Sequence, residues 1–87
     1  MDAAQHLAAP PPSEAQVWDW LSALTDPEAR IRRQAAYALE RLGRPTDASV
    51  LDDELKALRN ALGDEDPDVR RNASEAILTV AMPKRPL

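Results

Sequence analysis

The chain has no cysteine and no phenylalanine, a single histidine, two glycines and only three aromatic residues, Trp18, Trp20 and Tyr37, among 87 residues. Without cysteine there are no disulfides, no thiolate metal ligands and no cysteine nucleophile, which fits a reducing compartment. The one imidazole, His6, falls in an N-terminal stretch that reads as an unstructured leader, so catalysis and metal binding have almost no histidine to draw on. No glycine-rich loop exists to cradle a phosphate. The four serines and three threonines have no base positioned for a triad. No apolar run approaches the roughly 18–20 residues of a membrane span. Met1–Pro12 also lacks the basic start and apolar middle of a secretion signal, so the chain reads as cytoplasmic.

What is present is charge and small apolar residues. Charged side chains make up 30% of the chain, hydrophobic ones 44%, and the formal net charge is −4. That balance belongs to a folded domain rather than a disordered one. The length allows one small domain. Eight prolines mark its boundaries. Pro10-Pro11-Pro12 ends a leader over 1–12, because consecutive prolines favour an extended, non-helical chain.

Four helices follow. Ser13 and Gln16 have the spacing of a capping box, and Val17, Trp20, Leu21 and Leu24 form the apolar stripe of the first helix. Asp26-Pro27 reads as the start of the second, with Ile31, Ala35, Ala38, Leu39 and Leu42 facing inward and Gly43 closing it. Thr46 or Asp47 caps the third, with Leu51, Leu55, Leu58 and Leu62 as its stripe and Gly63 at its end. Asp66-Pro67 opens the fourth, with Val69, Ala73, Ala76, Ile77 and Val80 inward and Pro83 as its stop. Trp18 is expected to widen the buried face of the first helix, since so small a core needs its large side chains. No segment alternates with period two, so no strands are expected.

The strongest signal is internal. Residues 17–43 match residues 55–81 without gaps at an offset of 38. Ala23/Ala61, Leu24/Leu62, Asp26/Asp64, Arg32/Arg70, Arg33/Arg71, Ala35/Ala73 and Ala38/Ala76 are identical pairs. A helical period near 40 residues is the mark of an α-solenoid. The stretch from Asp64 to Ile77, Asp-Glu-Asp-Pro-Asp-Val-Arg-Arg-Asn-Ala-Ser-Glu-Ala-Ile, resembles the second helix of a HEAT repeat, in particular the bacterial subgroup known as PBS-lyase HEAT-like repeats. Asp26, Ile31, Arg32, Ala35, Ala38 and Leu39 carry the same pattern, with the proline earlier, at Pro27, and Ala29 where Pro67 stands. The resemblance runs from Val17 to Ala81, about 65 of the 87 residues. It implies an all-α fold of two helix-turn-helix repeats over 13–44 and 46–82 within a domain spanning 13–82, followed by a basic tail over 83–87. It also implies that Asp26, Arg32, Asp64 and Arg70 are structural, because the matching Asp and Arg link neighbouring repeats in such proteins. Independently, Glu28 before Arg32 and Asp66 before Arg70 have the i,i+4 spacing of acid–base pairs.

One line on the second helix stands out. Arg30, Arg33, Gln34, Tyr37, Arg41 and Arg44 recur at helical spacing with four positive charges, one aromatic and no acid. The equivalent line on the fourth helix, Asp68, Arg71, Asn72, Glu75, Thr79 and Met82, is mixed. In HEAT-like solenoids the second helices line the concave binding surface, so the resemblance places this line where a partner docks. Tyr and Arg are also the residue types that dominate interface energetics. The reading is a noncatalytic protein-binding module, such as an accessory subunit, with Tyr37 as anchor and an acidic protein surface as partner. Two alternatives remain, a bilin-lyase-type accessory role implied by the subgroup and nucleic-acid binding through the arginines. The net charge of −4 opposes the latter. Asp64-x-Asp66-x-Asp68 imitates the start of a Ca²⁺ loop, but Pro67 and the missing Gly and Glu exclude one, and no metal or cofactor is expected. Two repeats fall short of the ~3 that usually make a stable stack, so self-association or partner contact is expected.

Overall fold

The computed structural model describes residues 14–81; the leader over 1–12, the Ser13 cap, Met82, the Pro83 stop and the basic tail over 83–87 lie outside them. Four helices follow in order: α1 (Glu14–Ala23), α2 (Ala29–Leu42), α3 (Ala48–Ala61) and α4 (Pro67–Ala81), with no strand among the described residues. Helices α1 and α2 form one antiparallel hairpin and α3 and α4 a second. The hairpins stack so that α4 packs on α2 and α3 on α1. The core runs through the stack as Val17, Leu21, Leu24, Ala35, Ala36, Leu39, Val50, Leu58, Ala61, Val69, Ala73, Ala76 and Val80. Four of its five alanines, Ala35, Ala36, Ala73 and Ala76, lie on α2 and α4 and let the paired second helices approach closely.

Helix α2 begins at Ala29, two residues later than Asp26-Pro27 suggests. The repeat register explains the shift. At the offset of 38, Glu28 is equivalent to Asp66 and Ala29 to Pro67, so packing of Ala35 and Ala73 at the joint fixes the helix start against the local Asp-Pro signal. Asp66 caps α4 by accepting from the backbone N–H groups of Asp68 (2.9 Å) and Val69 (3.1 Å). Glu28 occupies the same position in α2 and makes no side-chain cap bond. Asp26 instead accepts from the Glu28 N–H at 2.9 Å, as Asp64 does from Asp66 at 2.9 Å. The turn before each second helix is therefore built alike in both repeats.

Asp47, not Thr46, caps α3. Its Oδ1 accepts from the Ser49 N–H (2.8 Å), the Ser49 hydroxyl (2.6 Å) and the Val50 N–H (3.2 Å). Those three bonds, the hydroxyl first, hold its carboxyl below the ordinary carboxylate value. Helix α2 ends at Gly43, whose φ of 79° and ψ of −165° lie in a region that essentially only glycine visits.

Three inward-facing assignments need correction. On α2, Arg32 and Ala36 are buried along with Ala35 and Leu39, while Ile31, Ala38 and Leu42 are only partly covered. On α3 the buried row is Val50, Glu54, Leu58 and Ala61, about one residue round from the expected row. Leu51 and Leu55 are half-buried and Leu62 is 41% exposed. On α1, Trp18 does not widen the core; it lies outside the Val17–Leu21–Leu24 row and is 43% exposed. In each case the helix turns toward both its hairpin partner and the other repeat, so burial follows the stacking direction rather than the longest row of large apolar residues.

Candidate protein-binding face

The outward line of α2 lies opposite its buried residues, and 3.6-residue periodicity keeps its members together. Tyr37 stands at its middle, 53% exposed. Arg30, Gln34, Arg41 and Arg44 are exposed around it, Arg44 just beyond the Gly43 turn. Arg33 is half-buried at the edge facing repeat two, where its Nε lies 3.5 Å from Asp66 Oδ2. At that distance the contact is an ion pair rather than a hydrogen bond.

The line has no acid in sequence, yet the fold brings two carboxylates to it. Glu28 lies 3.4 Å from Arg30, and Asp66 pairs with Arg33 from the other repeat. Glu28 therefore serves Arg30, not Arg32 one turn on. Arg41 and Arg44 have no ion-pair partner among the described residues, so the uncompensated charge is concentrated at the C-terminal end of α2 beside Tyr37. On α4 the equivalent line is internally paired: Arg71 donates to Asp68 at 2.8 Å, the Thr79 hydroxyl donates to the Glu75 carbonyl, and the Asn72 amide reaches across to the Arg33 carbonyl at 3.2 Å.

The four linking residues behave unequally. Arg32 is gripped by two bonds to Asp64, Nε to Oδ2 at 2.8 Å and Nη2 to Oδ1 at 3.1 Å. Its Nη1 also donates to the Asp26 and Pro27 carbonyls at 2.8 and 3.0 Å. The Arg32 hydrogen bond holds the Asp64 carboxyl below its ordinary value, with the Asp66 N–H assisting against desolvation. Arg70 repeats only the local half of this pattern. Its Nη1 donates to the Asp64 carbonyl at 2.7 Å, and although its charge is felt by the Asp64 carboxylate, no carboxylate among the described residues comes within ion-pair distance of it. Asp66 does not pair with Arg70 one turn on, because it caps its own helix and meets Arg33. The triplet Asp64, Asp66 and Asp68 is thus spent on Arg32, on the α4 cap and on Arg71, which accounts for the cluster without a cation.

Sequence reasoning missed one residue. Glu54 is completely buried, its two carboxylate oxygens have no hydrogen-bond partner among the described residues, and burial pushes its carboxyl up to about 7. It belongs to the acidic run Asp52-Asp53-Glu54 in the first half of α3. Its spacing of four from both Val50 and Leu58 is the signal that could have found it.

A pair of stacked helical hairpins joined by an arginine–aspartate link is the build of an α-solenoid repeat protein. The HEAT repeats family matches residues 19–85, and the chain belongs to that family. HEAT repeats generally mediate protein–protein interaction and are typically scaffolds rather than catalysts. No curated protein and no solved structure matches the chain. Among the described residues, no helix is long and apolar enough to cross a membrane.

Proposed function

We propose that the chain is a noncatalytic protein-binding module, an accessory or adaptor subunit that docks an acidic partner surface through the outward line of α2. The observation that carries this reading is Tyr37, left 53% exposed between arginines on a helix whose other faces are occupied by packing. A tyrosine presents large, stiff contact area, and neighbouring arginines add carboxylate recognition. Glu28 and Asp66 moderate Arg30 and Arg33, which suits a protein partner better than a phosphate backbone. Arg41 and Arg44 supply the long-range attraction to an acidic surface, and Arg30, Arg33 and Gln34 form the polar rim.

The test is affinity capture with the full chain and with Tyr37→Ala/Arg41→Glu, both substitutions at exposed positions. The expected result is a stoichiometric protein partner lost by the variant while its circular dichroism is unchanged. A partner retained equally by both would move the site elsewhere on the molecule.

A further inference from the structure

The two repeats are copies of one unit, so equivalent positions differ in exposure only where a neighbour covers one of them. Leu24 is 5% exposed but its equivalent Leu62 is 41% exposed. Arg32 and Ala36 are buried, whereas Arg70 and Ser74 are exposed. The difference reverses on the opposite side. Val69 and Ala76 are wholly buried, whereas Ile31 and Ala38 are only partly covered. The first set is the side of repeat one that repeat two covers; the second is the side of repeat two that repeat one covers. The molecule therefore carries both halves of its own inter-repeat joint, one on each repeat, and neither half is covered by the described residues.

Four polar contacts cross the internal joint: Arg32 to Asp64, a longer contact at 3.9 Å from Arg32 to the exposed Glu65, Arg33 to Asp66, and the Asn72 amide to the Arg33 carbonyl. Every participant but Glu65, whose equivalent is Pro27, has a chemically similar counterpart at the far end of the other repeat. Arg70 and Arg71 stand where Arg32 and Arg33 stand. Asp26, Glu28 and Gln34 stand where Asp64, Asp66 and Asn72 stand. The Asp26/Asp64 and Arg32/Arg70 pairs are also held in the same poses, whereas Glu28 and Arg71 pair locally with Arg30 and Asp68 and would exchange those partners on stacking. Asp26 and Asp64 each accept from the N–H two residues on at 2.9 Å. Arg32 and Arg70 each direct Nη1 to the carbonyl six residues back, at 2.8 and 2.7 Å. In Arg32 the remaining guanidinium nitrogens grip Asp64; in Arg70 they have no carboxylate within ion-pair distance among the described residues, and the Asp64 carboxylate feels its charge only from farther off.

We infer that a second copy of this chain stacks head to tail on the first, its Asp26 end against the Arg70 end. The joint remakes Arg70 with the second copy's Asp26, Arg71 with its Glu28, and the Arg71 carbonyl with its Gln34. It also covers Leu62 as Leu24 is covered within one chain. Two ends of opposite charge distinguish this occupant from an unspecified apolar partner. Because the joint is heterologous, each added copy leaves a new open end, and the assembly grows as a short stack rather than closing as a dimer.

The test is sedimentation velocity on the full chain across concentration, with Asp26→Arg, Arg70→Asp and their equimolar mixture. The wild-type mass should rise with concentration. Each single reversal sets like charges against each other across the joint and should lower the association constant at least about tenfold. Mixing the two restores opposite charges at both kinds of contact, so association should return with equal amounts of each chain. Circular dichroism confirms that each variant folds. The milder pair Asp26→Asn and Arg70→Gln, which keeps hydrogen-bonding capacity at both sites, should weaken association by less. A wild-type chain that stays a single copy to about 1 mM, single variants that associate like wild type, or a mixture of folded variants that fails to associate would each overturn the inference. Tyr37→Ala should leave this association unchanged, which separates it from docking on α2.

Discussion

Arg32 and Asp64, 32 residues apart in sequence, meet in a two-pronged contact at 2.8 and 3.1 Å with both side chains nearly covered. The same guanidinium reaches two backbone carbonyls in the turn that precedes its own helix. One side chain therefore fixes the turn before α2, the position of α2, and the stacking of repeat two on repeat one. A planar guanidinium can fill all of these roles at once, and an ammonium cannot.

The repeat supplies its own control for this contact. Arg32→Ala removes a link between repeats and leaves the Asp64 carboxylate poorly compensated, whereas Arg70→Ala removes a local bond at an exposed site. Arg32→Ala should lower the melting temperature well below that of Arg70→Ala in dilute protein, where self-association contributes little. Arg32→Lys should recover only part of the loss. Equal losses from the two alanine variants would show that the link carries no special share of the stacking.

Much of this was legible in the sequence, and the misses share one cause. The offset of 38 gives the two hairpins, and Asp66-Pro67 marks the start of α4 because local chemistry and repeat register agree there. At Asp26-Pro27 they disagree and register wins. The leucines of α3 look like its core stripe, yet Leu55 and Leu62 occupy the positions that repeat two covers in Val17 and Leu24, and nothing among the described residues covers them in the same way. The arginine line on α2 was visible as a line, but its carboxylates come from a preceding turn and from another repeat. Which charges remain free is a tertiary fact.

Glu28 fills an N-cap position without capping, while its repeat-equivalent Asp66 accepts two backbone bonds. Shortening the side chain by one methylene should install the missing cap. Glu28→Asp is expected to stabilise the fold by about 0.5–1 kcal/mol, seen as a rise of a few degrees in melting temperature. Glu28→Ser should do nearly as well despite losing the charge. No gain from either would mean that the α2 entry cannot adopt the geometry seen at α4.

At Gly43 no atom lies within 4 Å of a built Cβ, so space does not restrict substitution there. The backbone does: φ of 79° with ψ of −165° falls outside the left-handed helical region that asparagine tolerates. Gly43→Ala and Gly43→Asn should therefore be about equally harmful, each by roughly 1–3 kcal/mol in denaturant unfolding. Marked rescue by asparagine would show that the turn relaxes to an ordinary left-handed cap.

Glu54 makes stability depend on pH in a direction opposite to Asp64. Its ordinary value of 4.5 applies in the unfolded chain, and burial raises it to about 7 in the fold. The folded state then keeps a proton that the unfolded state has lost between these values, so stability is full below about pH 4.5 and falls as the pH rises to about 7. Asp64 works the other way: its carboxyl is lowered, so its contribution is present above the ordinary 3.8 and disappears as the pH falls through its lowered folded value. The chain should therefore melt higher at pH 5 than at pH 7.5, measured at fixed protein concentration and ionic strength. Glu54→Leu removes the buried carboxylate and should raise the melting temperature mainly at pH 7.5, flattening the profile. Glu54→Gln should flatten it as well, with less gain, because the amide still finds no partner. A wild-type melting temperature that rises from pH 5 to pH 7.5 would show that Glu54 reaches solvent or a cation in solution.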